Sequence, residues 1–456
     1  MLGRLEYLDR VRSEPRPTFA SPQAPDRHAV TDADVVVAGG GLWSLFAPLL
    51  AARGLRVVVV ERGRAALAHR EWNASDPELR ALVSAGLVTD AELEALIIAR
   101  YRTGTCAFHG GGSYPVHGVL DCAVDAGALL ALGRTKAEAL GVRFLDGHEL
   151  LAHASGPTAI ALRLKSGDIE TTLVSKVLVD ARGASSPYAT ADLVCPTVGG
   201  VLRGLEIGDG PRQIAPDVGE ILATVDSIDE GRQHVWEAFP GRKDETTIYL
   251  FFYARASERV SLVALFDRFF ATLPTYKKGD PTLVRPTFGF IPGWSRLTPA
   301  PAPPAGRILL VGDAAARHSP LTYCGFGATI RSLAGASDVV GRAVSTPGHV
   351  PPHAMKDAPV HALTGALAHM LASRTFRGNE LNELLDASFA SLHAMGPRPY
   401  AELLRDELPA AELVTFLRRT ASRHPAVWGQ VMRGLGLGRA SRWGISAIRS
   451  LVHGAA

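Results

Sequence analysis

Three consecutive glycines, Gly39-Gly40-Gly41, followed by Leu42-Trp43-Ser44, carry the clearest chemical potential in the chain. They follow an apolar, strand-like run at 34–38 and open a helical stretch at 42–53 that Gly54 closes. A glycine turn between a strand and a helix start exposes backbone N–H groups and the positive end of the helix, and together these receive a pyrophosphate. Ser44 stands where the G-x-G-x-x-G pattern has its third glycine, and it is small enough to keep helix and strand close. Glu61 ends a second, β-branched strand at 55–60 and lies 22 residues after Gly39. A carboxylate about 20 residues on is what a ribose hydroxyl pair needs as acceptor. The pattern therefore predicts a dinucleotide site with Gly39, Gly41, Ser44 and Glu61 among its contacts.

Two further motifs narrow the cofactor. A strand at 308–311 runs into Gly312-Asp313-Ala314-Ala315, and after Pro320 comes Gly325-Phe326-Gly327 at the start of another helical stretch. Upstream lies Val177-Leu178-Val179-Asp180-Ala181-Arg182-Gly183. These resemble the second and middle FAD motifs of the flavoprotein hydroxylase superfamily, with Arg182 where an Asp is usual. The resemblance implies FAD rather than NAD. It places Asp313 on the ribityl chain, a helix start with Gly325 and Gly327 facing the isoalloxazine, and Asp180 among the cofactor residues.

The elements that must position these motifs read as an α/β protein. Helical character recurs at 125–140, and strand-like runs recur at 159–164, 174–179, 246–253 and 307–311. The expected architecture is a Rossmann-like FAD-binding domain with an inserted mixed β-sheet substrate domain and a helical C-terminal segment. Residues 1–30 read as a loose lead-in, with four prolines in 13–30. The FAD domain is assigned to 31–190 and 305–345, with part of 100–120 facing the substrate domain, whose sheet spans 191–304; 346–456 is the helical segment. Proline-rich stretches at 299–304 and 347–352 read as connectors.

Composition agrees with a large folded protein: 456 residues, 48 Lys plus Arg against 45 Asp plus Glu, and 47% hydrophobic content exclude a small stapled module and extensive disorder. There is no apolar run of the roughly 18 residues that a membrane span needs, and the first residues lack a signal-peptide core. A cytoplasmic protein is expected. Cys106, Cys122, Cys195 and Cys324 show no CxxC pairing and no His cluster, so reduced thiols and no metal site are expected. Charge is distributed unevenly, since residues 413–456 hold Arg418, Arg419, Arg423, Arg433, Arg439, Arg442 and Arg449 and no Asp or Glu. Trp428, Trp443, Ile445, Ile448, Leu451 and Val452 lie between them, which suits the inner face of a membrane as peripheral partner better than nucleic acid; the alternative is a solvated helical cap.

A closer resemblance rests on Glu71-Trp72-Asn73-Ala74-Ser75, Glu78-Leu79, Phe108-His109-Gly110-Gly111, Trp236-Glu237-Ala238-Phe239-Pro240, Phe288-Gly289-Phe290, and Gly312-Asp313 with Ser319-Pro320-Leu321 and Gly325-Phe326-Gly327. From about residue 33 to about residue 340 the chain resembles the CruA/CruP group of bacterial and plastid lycopene cyclases and their paralogues. It departs from them at Cys324, where glycine is common, and at Ala315-Ala316-Arg317. The resemblance implies reduced FAD, a polyene taken from the membrane, and cyclisation of its end without net oxidation.

Cyclisation needs a proton delivered to a terminal double bond, a stabilised carbocation and a proton removed. Glu237, between Trp236 and Phe239, is the leading acid–base candidate, because a carboxyl among aromatics keeps its proton through desolvation. His318, five residues past Asp313, is the second. Trp72, Asn73, Trp236 and Phe239 are expected to shape a cleft for a lipophilic small molecule. Alternation in Tyr249, Phe251, Phe252 and Tyr253 gives one core face and one face for an apolar tunnel, while Cys324 reads as a packing residue. Two rival readings stay open: an FAD monooxygenase or reductase fed by NAD(P)H or a reductase, and a non-catalytic flavin- or carotenoid-binding paralogue.

Overall fold

The computed structural model describes residues 1–453 except 13, 15–17, 69–70, 300–301, 323, 354–357 and 359, with side chains to residue 445. Tyr323, residues 300 and 301 of the connector at 299–304, and the side chains of Ile448, Arg449, Leu451 and Val452 therefore lie outside the described residues.

Runs of valine build the sheet that carries the glycine turn. Ala33–Ala38, Val57–Glu61 and the second half of Ile169–Asp180 pair in parallel, with Val37 beside both Val59 and Val179. Val35, Val36, Val37, Val58 and Val59 are all buried, as befits a parallel sheet covered on both faces. Arg143–Asp146 extends it beyond Val57–Glu61, and Ile308–Leu310 joins beside Ile169–Asp180, both in parallel. Antiparallel strands Glu149–Ser155 and Ile160–Ser166 continue the sheet along the first half of Ile169–Asp180. Because the central strands run the same way, Ala38, Glu61, Asp180 and Leu310 finish at one edge, where ligands of open α/β sheets bind.

A second sheet of eight strands is centred on Leu193–Leu205, which pairs with Thr246–Phe251 on one side and the long strand Gly279–Gly293 on the other. It continues through Val235–Pro240 and Val218–Ala223 to Thr103–Ala107 and Ser113–Val116. Helix Leu262–Tyr276 covers one face, burying Phe266, Phe269 and Tyr276 with Trp236, Ile248 and Leu250. A small sheet of Glu71–Ala74, Cys122–Asp125 and Ile97–Arg100 completes the β-structure. From His361–Leu371 onward the chain is helical, and Phe376, Phe389 and Tyr400 pack with Tyr101 and Phe108 in one core. The class is α/β with mixed sheets and a helical C-terminal region.

The N-terminus corrects the reading of residues 1–30 as loose. Leu2–Val11 is a helix that packs on Leu262–Tyr276 and buries Leu5. Asp9 accepts from the N–H of Leu262 at 2.9 Å and from Ser261 Oγ at 3.0 Å, capping that helix. The prolines that follow obscured the short apolar spacing Leu5–Leu8. The first helix after the glycine turn also differs from expectation: Leu42–Leu45 is a 3-10 turn, and the α-helix is only Phe46–Ala51. Pro48 has no N–H to reach back to Ser44, so the first turn tightens.

Arg307 sits at 1% exposure just before the strand Ile308–Leu310. Among the described residues its guanidinium donates to carbonyls alone: those of Lys176, Ala343, Thr346 and, at 2.8 Å, Gly348. It thereby ties the end of helix Gly325–Ser345 to the parallel sheet. Arg307→Ala strands these acceptors without water or partner, and a loss of about 3–5 kcal/mol is expected in a denaturant melt. An unchanged midpoint would show that the carbonyls find other donors.

Candidate active site

Four segments meet at the carboxyl edge of the parallel sheet. Gly39 leaves the first strand at φ +114°, and a Cβ there would lie 2.3 Å from the carbonyl oxygen of Ala181. The N–H of Gly40 donates to Glu61 Oε2 at 2.8 Å and that of Gly63 to Oε1 at 2.9 Å, so Glu61 holds the turn in shape. Gly41 faces open space. Ser44 is buried and its N–H returns to the carbonyl of Gly41 at 2.9 Å, which agrees with a packing role. The N–H groups in the first turn of any helix lack intrahelical partners, so this turn presents donors to whatever sits beside Gly41.

Across from it, Gly312 takes φ +58°, and a Cβ there would stand 2.9 Å from Trp43 Nε1. Asp313 follows on the same turn with its carboxylate partly exposed. Helix Gly325–Ser345 starts here with Gly325 facing open space and Phe326 against Trp72, ring centroids 5.1 Å apart.

Between these segments and the second sheet lies a cavity of about 460 Å³. Leu42, Trp43, Gly312, Asp313 and Gly325 line one side, and Glu237, Phe239, Tyr249 and Phe251 line the other. Strand alternation produces the second wall. Glu237 and Tyr249 are direct cross-strand partners, as are Phe239 and Thr247, and every second residue along each strand points the same way. Trp72 and Asn73 also line the cavity. Trp43 Nε1 and Thr247 Oγ1 are buried polar atoms with no hydrogen-bond partner among the described residues, although both residues border this space. Buried polar groups left so are unusual, and here they mark where a ligand's polar atoms would be met.

His318 borders the cavity with its side chain 10% exposed, its Nε2 3.7 Å from Asp313 Oδ1. The loop that carries it is fastened by Asp406, a residue sequence reasoning missed. Asp406 comes from the turn after Pro397–Leu404 and accepts from the N–H of Ser319 at 3.1 Å and from Thr322 Oγ1 at 3.4 Å. Burial pushes its carboxyl up, against the pull of His361 and the Ser319 N–H. His361 Nδ1 accepts the N–H of Ala358, so its proton sits on Nε2, 3.9 Å from Asp406. Nothing in the local sequence marks Asp406, since its hydrogen-bond partners Ser319 and Thr322 lie more than eighty positions upstream.

Three expected site residues are placed elsewhere. Asp180 is fully buried, and its carboxylate is occupied by Arg182, at 2.8 Å, and by Ser186 Oγ, also at 2.8 Å. The unusual arginine folds back on the aspartate, so the pair shapes the loop and the Asp180 carboxylate is turned into it rather than to the cavity. Gly327 faces Glu78, whose carboxylate would lie 2.3 Å from a Cβ, so its glycine serves packing against the Glu78–Arg331 pair. Trp236 points away from Glu237 into the core under helix Leu262–Tyr276, stacked on Tyr276 with centroids 4.8 Å apart. Tyr249 and Phe251 do face the cavity, whereas Phe252 packs in the opposite core and the hydroxyl of Tyr253 donates to the carbonyl of Leu321. Cys195 and Cys324 border the cavity, and burial pushes the Cys324 thiol up to about 12, which removes it as a nucleophile near neutrality. Among the described residues no group of three His, Cys, Asp or Glu is placed to hold a metal.

Solved structures with this architecture are known. Halogenase PltM in complex with phloroglucinol and FAD aligns at 13% identity over 91% of this chain and 99% of its own, with a TM-score of 0.61. A geranylgeranyl bacteriochlorophyll reductase-like protein from Thermoplasma acidophilum aligns at 15% identity over 88% of this chain and 98% of its own, with a TM-score of 0.54. CmlS, a flavin-dependent halogenase, aligns at 15% identity over 93% of this chain and 78% of its own, with a TM-score of 0.55. The chain shares their fold. Within this fold the glycine turn, Glu61 and Gly312-Asp313 occupy the carboxyl edge of the parallel sheet, and the second sheet supplies the facing wall. No protein-family profile matches the chain, and no curated protein matches it in sequence.

Proposed function

We propose that this protein is an FAD-dependent flavoenzyme that acts on a lipophilic isoprenoid polyene and cyclises its end group as the lycopene cyclases do. The residues at the sheet edge suit FAD. Gly39 and Gly41 keep the turn free of side chains, Glu61 is fixed where a ribose would lie, and Asp313 and the indole N–H of Trp43, without a partner among the described residues, both border the cavity. When bound, FAD would supply redox chemistry or, reduced, a negative charge beside the cavity.

The observation that carries the substrate reading is Glu237. Among the described residues it is the one carboxylate that the second sheet turns to the cavity, in a wall that holds Phe239, Tyr249 and Phe251 together with Cys195 and Thr247, and it faces the side on which Asp313 and Gly325 stand. Such a wall binds an apolar chain by excluding water and offers one proton donor. Glu237 protonates the terminal double bond, the resulting cation closes on a neighbouring double bond, and the ring proton then lost returns to the Glu237 carboxylate, which restores neutrality and the acid. Phe239, Tyr249 and Phe251 present aromatic faces that stabilise the cation. No atom is gained or lost.

A redox reading is favoured by one finding: the structures of like fold include halogenases and a reductase-like protein. In that case Glu237 and His318 would orient a substrate and handle the accompanying proton. Both readings require the flavin. Purified protein is expected to be yellow and to release one FAD per chain on denaturation, measured by absorbance and chromatography. A colourless protein that takes up no FAD on reconstitution would overturn both.

A further inference from the structure

The last three helices, Ala410–Arg423, Val427–Leu435 and Leu437–His453, pack against one another, and the latter two also rest on His361–Leu371. Leu413, Phe416, Thr420, Gln430 and Leu435 are buried on their inner side. The outer side has an unusual make-up. Arg433 pairs with Glu380 at 2.6 Å, but among the described residues no carboxylate lies within ion-pair distance of Arg418, Arg419, Arg423 or Arg442, all exposed. From residue 413 on, the chain contains no acid that could serve.

Large apolar side chains are exposed on the same helical layer. Trp428 is 57% exposed, Leu437 76% and Ile445 52%, with Met432 close behind. Trp428 and Met432 are four residues apart, and Leu437 and Ile445 are eight apart with Arg442 on the adjoining row, so each pair lies along one helix face. A merely solvated face would mix both charge signs and expose few residues of this size. Arginines without acids, interleaved with tryptophan and aliphatic side chains, match helices that lie in a lipid headgroup layer. Nucleic acid would employ the arginines and leave Met432, Leu437 and Ile445 without a role.

We propose that this helical layer docks the protein on an anionic phospholipid bilayer, with Arg418, Arg419, Arg423 and Arg442 on the lipid phosphates and Trp428, Leu437 and Ile445 entering the headgroup region. The docking needs neither FAD nor turnover, so it stands or falls separately from the proposed reaction. The test is co-sedimentation of the full-length protein with vesicles of phosphatidylcholine alone and of phosphatidylcholine mixed with phosphatidylglycerol. Binding is expected to the mixed vesicles, and it should weaken as salt screens the charges. Arg418→Gln/Arg419→Gln/Arg442→Gln should lower the partition coefficient about tenfold or more. Trp428→Ala/Leu437→Ala should lower what binding persists at high salt, with both variants melting as the wild type does. Equal partitioning to the two vesicle types overturns the proposal, as does an unchanged partition coefficient in the triple variant. So does binding to duplex DNA in a protein that ignores anionic vesicles.

Discussion

Gly39→Val is expected to yield a protein that cannot retain FAD and melts at markedly lower temperature. The position is closed from two directions. A Cβ would lie 2.3 Å from the carbonyl oxygen of Ala181, and φ +114° belongs to a region that branched side chains do not tolerate. Neither neighbour can retreat cheaply, because the N–H of Gly39 donates to Val60 and that of Ala181 to Ala38, both at 2.8 Å, inside the parallel sheet. Relief must come from opening the turn that presents the N–H groups. The combined strain and clash are on the order of 3 kcal/mol or more, which is upward of a hundredfold in FAD affinity if it falls on binding. Gly41→Ala is the control, since a Cβ there meets nothing within 4 Å. It should melt nearly as the wild type does while binding FAD more weakly, because its Cβ enters only the space that the turn keeps free for the cofactor. Full FAD occupancy in Gly39→Val would remove this turn from the cofactor site.

The second large effect is expected at Glu237. Glu237→Gln keeps the side chain's size and its ability to hydrogen-bond but has no proton to donate. Loss of a general acid costs roughly a hundredfold or more, so product formation should fall by at least that factor. FAD content should not change, because Glu237 stands on the second sheet, across the cavity from the glycine turn. Retained turnover would move the acid role to another cavity group, His318 first among them, 3.7 Å from Asp313.

What could be read from the sequence was whatever depends on neighbours along the chain. The valine runs at 34–38 and 55–60, the glycine turn between them and Glu61 after them each declare themselves locally, and the parallel sheet assembles them without change. The same holds for Gly312-Asp313 at the end of its strand. The misplaced residues depend on partners far away. Gly327 is a glycine because of Glu78, some 250 positions earlier, and Asp406 secures a loop more than eighty positions before it. Trp236 is a different case. In a strand, adjacent residues point to opposite faces, so Trp236 and Glu237 were never able to line one cleft together. Asp180 looked available by motif, and only the fold showed Arg182 and Ser186 already holding it. The helix Leu2–Val11 was hidden because its apolar positions are few and its stability comes from docking on Leu262–Tyr276.

Cyclisation of a polyene by proton transfer rearranges bonds and leaves the atomic composition unaltered, and that separates it from oxygenation, which adds an oxygen, and from reduction, which adds two hydrogens. The most direct measurement is the mass and retention time of carotenoids from a lycopene-producing host that expresses this chain. A new product of the same mass as lycopene, absent when Glu237→Gln is expressed instead, is the result predicted here. A product heavier by one oxygen or by two hydrogens would contradict cyclisation and assign the cavity to oxygenation or reduction, and unaltered lycopene in the presence of FAD-loaded protein would contradict it as well.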